Sequence, residues 1–343
     1  MYQVYKNIFF TKGYNRTLIY DSLKVEIHFL PNDLYDLLLL NNFRINDKNN
    51  VLYSFLNKKG IIHEIDNNLI GCFTDLDNTI DIPYDIATVV IELSDITSKN
   101  LYKLKNQNIL QYNFIFADYT SPASIDSFAN FMNECESDTI ELTFCNGFAY
   151  TEELFDSIKL VKKIILINNF AEIKFNDTSI NKNRYINQWN EIHYRLAVNF
   201  TNYLESLKNH TYFNKKIFIG KDCEIKNSNE TENIFGYLNE DNEFQLSKVL
   251  SQLKFKEYWD IKKEDTLICQ DCEFRRLCVD NRLPIKKKKL WGHKEECEYN
   301  PYISKWSHEK GYLSLNECGI SINEESLIYN KGGLESINMD LWK

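Results

Sequence analysis

Thr88-Val89-Val90-Ile91-Glu92-Leu93, Asn113-Phe114-Ile115-Phe116-Ala117, Thr139-Ile140-Glu141-Leu142-Thr143-Phe144 and Ile164-Ile165-Leu166-Ile167-Asn168 are short runs of apolar, β-branched and aromatic residues. Each has the length of a strand buried on both faces rather than that of a helix. The stretches between them read as helices, among them Ser124–Asn133 and Thr151–Leu160, the latter capped by Thr151 with Glu152 and Glu153 in its first turn. Strand and helix alternating in this way predict βα units and a parallel sheet, either open or part of a barrel. The pattern weakens after residue 170, and residues 221–343 are polar and irregular while holding most of the nine cysteines.

Upstream, the rhythm is different. Val25, Ile27 and Phe29 alternate with Lys24, Glu26 and His28, the pattern of a half-buried strand, and Thr17–Asp21 reads as its hairpin partner. Asn32 or Asp33 is placed to cap a helix running through Leu40. Asp47 is placed to start another, with Val51, Leu52, Phe55 and Leu56 on one face and Gly60 ending it. A second strand pair is expected at Ile61–Ile65 and Leu69–Phe73. These elements predict an α+β, winged-helix-like module over residues 1–82, followed by an α/β region over 83–220 and a Cys-rich region over 221–343.

The 343 residues are 43% hydrophobic and 14% aromatic, enough for two or three cores at about 150 residues each, so a wholly disordered chain is excluded. Forty Lys and Arg against 49 Asp and Glu give a net charge of −9, which argues against nucleic acid as a partner. The run Leu37–Leu40 falls far short of the ~20 apolar residues that cross a bilayer, and Met1-Tyr2-Gln3-Val4-Tyr5-Lys6 is no signal peptide. No membrane partner is expected, and a cytoplasmic location is. In a reducing compartment nine cysteines point to metal or redox chemistry rather than disulfides.

Cys269-Gln270-Asp271-Cys272-Glu273-Phe274-Arg275-Arg276-Leu277-Cys278 is the strongest local motif. Two thiolates separated by two residues clasp one metal through a tight turn. Cys278 follows closely, and Cys297 completes a set of four suited to Zn²⁺ or to a [4Fe–4S] cluster. Such a site carries net charge near −2. Arg275, Arg276, Arg282 and the run Lys286–Lys289 are placed to offset it, although a lysine run by itself reads as a solvated loop.

The Cys-x2-Cys-x5-Cys spacing resembles the centre of the SPASM domain, the C-terminal extension of many radical-SAM peptide maturases. Asn233-Ile234-Phe235-Gly236-Tyr237-Leu238-Asn239 and Phe255-Lys256-Glu257-Tyr258-Trp259 resemble its lead-in. Asp271–Arg275, Cys278-Val279-Asp280-Asn281-Arg282, Cys297-Glu298-Tyr299-Asn300-Pro301-Tyr302, Lys305-Trp306 and His210-x-Tyr212-Phe213-Asn214-x-Lys216 look like the grasp-with-spasm maturases. The specific likeness covers roughly residues 210–318.

The resemblance implies a degenerate radical-SAM-like partial (β/α) barrel over 83–220 and a SPASM-like metal domain over 221–343. It implies Cys269, Cys272, Cys278 and Cys297 as ligands of one iron–sulfur cluster, with Cys318 a possible substitute for Cys297. It also implies action on a ribosomally made precursor peptide beside an ATP-grasp ligase, with residues 1–82 as the precursor-recognition element. The chain departs from the pattern in three places. Arg282 stands where a full SPASM domain has another cysteine. Gly220 precedes Cys223 by only three positions, which breaks a Gly-x4-Cys element. The Cys-x3-Cys-x2-Cys loop that holds the SAM-cleaving cluster is missing, since Cys72, Cys135, Cys145 and Cys223 are too far apart in sequence to form it. No SAM cleavage is expected, and a non-catalytic scaffold for the ligase is the alternative.

Phe73-Thr74-Asp75-Leu76-Asp77-Asn78-Thr79-Ile80 reads like the first motif of haloacid-dehalogenase phosphatases, with Asp75 as nucleophile and Asp77 as acid/base. It lacks the preceding strand of a doubly wound sheet and a downstream pair of aspartates, so a capped turn is the simpler reading. Among the six histidines none is spaced as a metal-binding pair, and His210 is the one within a family-like stretch. No Gly-rich phosphate loop is present.

Overall fold

The computed structural model describes residues 1–48, 50–80, 82–116, 120–135, 137, 139–144, 164–169, 181–182, 194–240, 244–288, 290–323 and 326–342. They form two compact units. One comprises Met1–Ile80, Tyr194–Thr211 and Ile261–Lys343, the other Asp81–His193 and Tyr212–Asp260.

The first unit opens with β1 (Tyr2–Val4), β2 (Ile8–Lys12), β3 (Arg16–Asp21), β4 (Glu26–Pro31), α1 (Asn32–Leu40), β5 (Arg44–Ile45), α2 (Val51–Lys58) and β6 (Ile62–Glu64). The expected hairpin is present: β3 pairs antiparallel with β4 in the register Leu18↔Phe29 and Tyr20↔Ile27, and β2 completes a meander. Helix α1 has Pro31 at its N-cap position and no side-chain cap. The Asn32 amide instead donates to the Gly13 and Tyr14 carbonyls, tying the helix start to the β2–β3 turn. Asn50, not Asp47, caps α2 by accepting the Leu52 N–H. Gly60, at φ +65°, takes the left-handed turn beyond its end. Leu52 and Leu56 face the core of this module, with Leu38 and Ile45. The strand expected at 69–73 does not form. The Asp- and Asn-rich stretch before it turns as a 3₁₀ segment at Asn67–Leu69, and β6 takes β1 as its partner.

The second unit carries the expected parallel α/β sheet. Strands β7 (Ile86–Leu93), β8 (Ile109–Phe116), β9 (Thr139–Phe144), β10 (Ile164–Asn169) and β11 (Asn181–Lys182) pair in parallel. Strand β12 (Tyr194–Leu196) belongs to the first unit. Strand β13 (Lys216–Ile219) adds to β7 in parallel, and β14 (Ile225–Lys226) closes that edge antiparallel. The sheet order is β11-β10-β9-β8-β7-β13-β14, an open arc with no closure among the described strands, as in a partial barrel. Helices α3 (Asp95–Asn100) and α4 (Pro122–Glu134) cross between strands, and α4 drives Phe128 and Phe131 against Phe114 and Tyr112. Phe235, Leu238, Phe255 and Trp259 pack on the same core. The helix expected at 151–160 lies outside the described residues.

The rest of the first unit is held by short ribbons. Strand β15 (Cys278–Asp280) pairs with β12, β16 (Pro284–Lys287) forms a hairpin with β17 (Leu290–His293), and β18 (Tyr299–Asn300) pairs with β19 (Lys305–Trp306). No described helix is long and apolar enough to cross a membrane.

Candidate metal centre

A turn of 3₁₀ helix at Cys269–Asp271 places the first two cysteines, with the Cys272 N–H donating to the Cys269 carbonyl at 3.1 Å. The residue before it, Ile268, sits at φ +69°. A β-branched side chain in this region costs of order 1–3 kcal/mol and persists only where its surroundings impose it. Cys278 is fixed on β15, where it faces Leu196 of β12 and its carbonyl accepts the Thr211 hydroxyl at 2.7 Å. Cys297 lies just before β18, and its Sγ accepts the Tyr299 N–H at 3.4 Å.

The four thiols lie within electrostatic reach of one another. Burial pushes the Cys272 thiol far above its ordinary range, and Glu273, Cys297, Cys269 and Cys278 add to that. Cys278 is raised in the same way by burial and, in part, by Cys297 and Cys269. Burial pushes Cys297 up to about 11, with Cys269 adding to it and Arg282 opposing. Half-buried sulfurs that would repel one another as thiolates suit a thiophilic cation that takes them all, so the chemistry of the donor set fits a Cys₄-bound metal or cluster. Cys318 sits elsewhere, packed with Tyr302, Ile303 and Leu334 and accepting from the Asn300 amide at 3.4 Å. Cys135 and Cys223 are buried in the core of the second unit, Cys72 is exposed, and Cys145 lies outside the described residues.

Beside the thiols lies a buried ionic group whose members carry no cysteine-like signature. Arg282 grips Asp280 with both arms, Nε to Oδ1 at 2.9 Å and Nη2 to Oδ2 at 2.8 Å, and its own N–H adds a third bond. The Lys263 ammonium also contacts Asp280 and lies 3.4 Å from His293 Nε2. Burial alone disfavours the Asp280 carboxylate, but Lys263 and Arg282 outweigh it and hold the group well below its usual range. Burial, then Lys263, keeps His210 and His293 neutral, His293 down to about 3. Cys269, Asp280 and His293 bring ligand atoms within 4.8 Å of one another, a group among the described residues able to hold a metal ion. The only sequence trace of this cluster is Asp280 two residues before Arg282.

The residues between the cysteines dock the N-terminal hairpin. Glu273 is fully buried, accepts Arg16 Nε at 2.7 Å and is bonded by the Tyr299 hydroxyl. The Arg16 guanidinium lies 3.7 Å over the Phe29 ring, and Phe29 meets Phe274 edge-on. Arg275 donates to the Lys12 carbonyl at 2.7 Å, and the Tyr14 N–H to the Asp271 carbonyl at 2.7 Å. Gly13 sits so close that a Cβ there would fall 2.8 Å from the Glu273 nitrogen. Gly13→Ala is therefore expected to cost about 1–3 kcal/mol by overpacking, read as a lower urea midpoint; an unchanged midpoint would show that the turn yields freely.

Asp75 and Asp77 follow no strand. Asp75 is exposed and paired with Lys6, and Asp77 accepts the Thr79 N–H and hydroxyl, the capped-turn geometry. Arg276 turns to Glu264 and the Ser206 carbonyl. The lysine run lies on the β16–β17 hairpin, with Lys286 and Lys288 exposed and the Lys286 ammonium 4.7 Å above Trp291; Lys289 lies outside the described residues.

No family model matches the chain, and no curated protein does. Among solved structures, SuiB of Streptococcus suis, crystallised with bound S-adenosylmethionine, aligns over 81% of this chain and 95% of its own at 11% identity, with a TM-score of 0.28.

Proposed function

We propose that this chain is a peptide-maturation protein of the grasp-with-spasm kind, acting with an ATP-grasp ligase on a ribosomally made precursor peptide. Cys269, Cys272, Cys278 and Cys297 would hold one structural centre, a [4Fe–4S] cluster by resemblance, with Zn²⁺ suiting the same thiolates. What supports the reading is that these four cysteines belong to one unit, with Cys269 and Cys272 on a turn that begins with the left-handed Ile268 and Cys278 and Cys297 near enough to act on the charge of Cys272. When bound, the centre supplies cross-links between residues 269–278 and residue 297, and four protein thiolates leave no position open to substrate. The chain's own residues orient the ligands: the Tyr299 N–H at Cys297, Thr211 behind Cys278, and Arg275 bonded to the Cys272 carbonyl at 2.8 Å. A reducing, cytoplasmic setting belongs to the same reading.

The test is metal and sulfide analysis with a visible spectrum on the full chain purified without oxygen. Iron and sulfide in equal amounts with broad charge-transfer absorption is the expected result. Colourless protein carrying one zinc keeps the site and changes the metal; metal-free folded protein ends the reading.

Precursor binding is proposed at β4 and α1. Among the described strands, β4 pairs on one side only, with β3. The helix that follows exposes Leu37, Leu39 and Leu40, the last at 81%. An extended peptide adding a strand there would place apolar side chains on those leucines. Calorimetry of the full chain with its cognate leader should detect binding, and Leu40→Asp should weaken it about tenfold, as loss of a hot-spot contact does. The scaffold alternative is favoured by the missing Cys-x3-Cys-x2-Cys loop. A covalent mass change in the precursor without the ligase would exclude it.

A further inference from the structure

Lys263 is an unusual residue to bury, since a lysine is almost never enclosed unless paired, and here it is 6% exposed. Its ammonium contacts Asp280 and lies 3.4 Å from His293 Nε2, and both of those groups lie within 4.8 Å of the Cys269 sulfur. Both oxygens of Asp280 are already gripped by Arg282. After Asp280, the negative groups acting most strongly on Lys263 are Cys269 and Cys278. The lysine therefore shares Asp280 and His293 with Cys269, one of the four thiols.

This arrangement separates the two groups of possible ligands. Within Cys269, Asp280 and His293, the ammonium fills the place a cation would take, so a metal there would have to displace a buried positive charge. Around Cys269, Cys272, Cys278 and Cys297 the same charge is an asset, because a Cys₄ centre is anionic and a buried anion needs a partner.

We propose that Lys263 is the electrostatic positioning residue of the Cys₄ centre, its ammonium balancing the negative charge gathered at Cys269 and Cys278. The proposal rests on the reading of the four cysteines as metal ligands. It also assigns Asp280 and Arg282 a role: they aim the ammonium, Asp280 by contact and Arg282 by fixing Asp280.

The experiment uses the full chain, loaded as purified, and follows release of metal to an excess of a chromogenic chelator. Lys263→Met removes the charge at similar length and is expected to release metal roughly tenfold faster, in line with the effect of outer-shell partners. Lys263→Arg should release at the wild-type rate. Equal rates for the wild type and a folded Lys263→Met would overturn the proposal. So would slower release from Lys263→Met, because removing a competing cation strengthens a metal at Cys269, Asp280 and His293. If Lys263→Met does not accumulate as folded protein, Lys263→Gln keeps a donor to Asp280 without the charge and takes its place. Failure of both neutral variants with survival of Lys263→Arg supports the charge requirement, whereas failure of all three makes shape the requirement and overturns it. A wild-type chain without metal would instead sink the metal reading itself.

Discussion

Cys272→Ser is expected to strip the centre and unfold the loops around it. The described residues of 262–318 form short ribbons and turns, and Cys272 and Cys297 sit at the margin of an apolar cluster that includes Phe274, Leu277 and Tyr299. In such a region metal binding supplies much of the folding free energy, about 10 kcal/mol or more for structural zinc in small domains. The variant should lose its bound metal and expose the chain near residue 272 to protease. Cys72→Ser, at an exposed site, should change neither property. A Cys272→Ser chain with full metal content and wild-type protease resistance would remove Cys272 from the ligand set. Cys297→Ser should match Cys272→Ser, and Cys318→Ser should keep its metal, because Cys318 lies in a separate apolar cluster.

Arg16→Met is the second large effect. It leaves Glu273 fully buried beside Tyr299 with its cationic partner gone, and breaking a buried pair from one side costs about 3–5 kcal/mol. The neighbouring Tyr299 hydroxyl remains bonded to the carboxylate, which puts the expected loss near the lower end, about 3 kcal/mol. Replacing both partners, Arg16→Met with Glu273→Leu, should recover most of that loss, since no charge is then stranded. Urea unfolding of the two variants against wild type measures it. A double variant no more stable than the single would show that the pair contributes by shape rather than by charge.

How legible these features were depended on the range of the interactions. The strands of the parallel sheet were plain, because burial on both faces makes each run apolar throughout, and β7 to β10 formed where those runs lie. The β3–β4 hairpin was legible from alternation. Helix starts were less so: Pro31 and Asn50 took the cap positions from neighbours of similar chemistry, and the Asn32 side chain was drawn off to the β2–β3 turn. The strand expected at Leu69–Phe73 failed because β1, far away in sequence, was the better partner for β6. The cysteine set is proposed from spacing and resemblance. Its surroundings were not legible: Lys263, Asp280 and His293 meet only through tertiary folding, and nothing local marks Glu273 as the partner of Arg16.

That last pair carries a consequence for how the chain is made. Arg16 and Glu273 are 257 residues apart. At a synthesis rate of about 5–20 residues per second, the hairpin at the start waits about 13–50 s for the segment that covers it. During that interval Phe9, Leu18, Tyr20 and Phe29 have no Phe274 or Tyr299 to pack against. The second unit is complete earlier, since its last segment ends at Asp260. The second unit is thus complete in the growing chain while the first still lacks the segment that covers its hairpin, so the order of synthesis is the reverse of the order in which the two units begin.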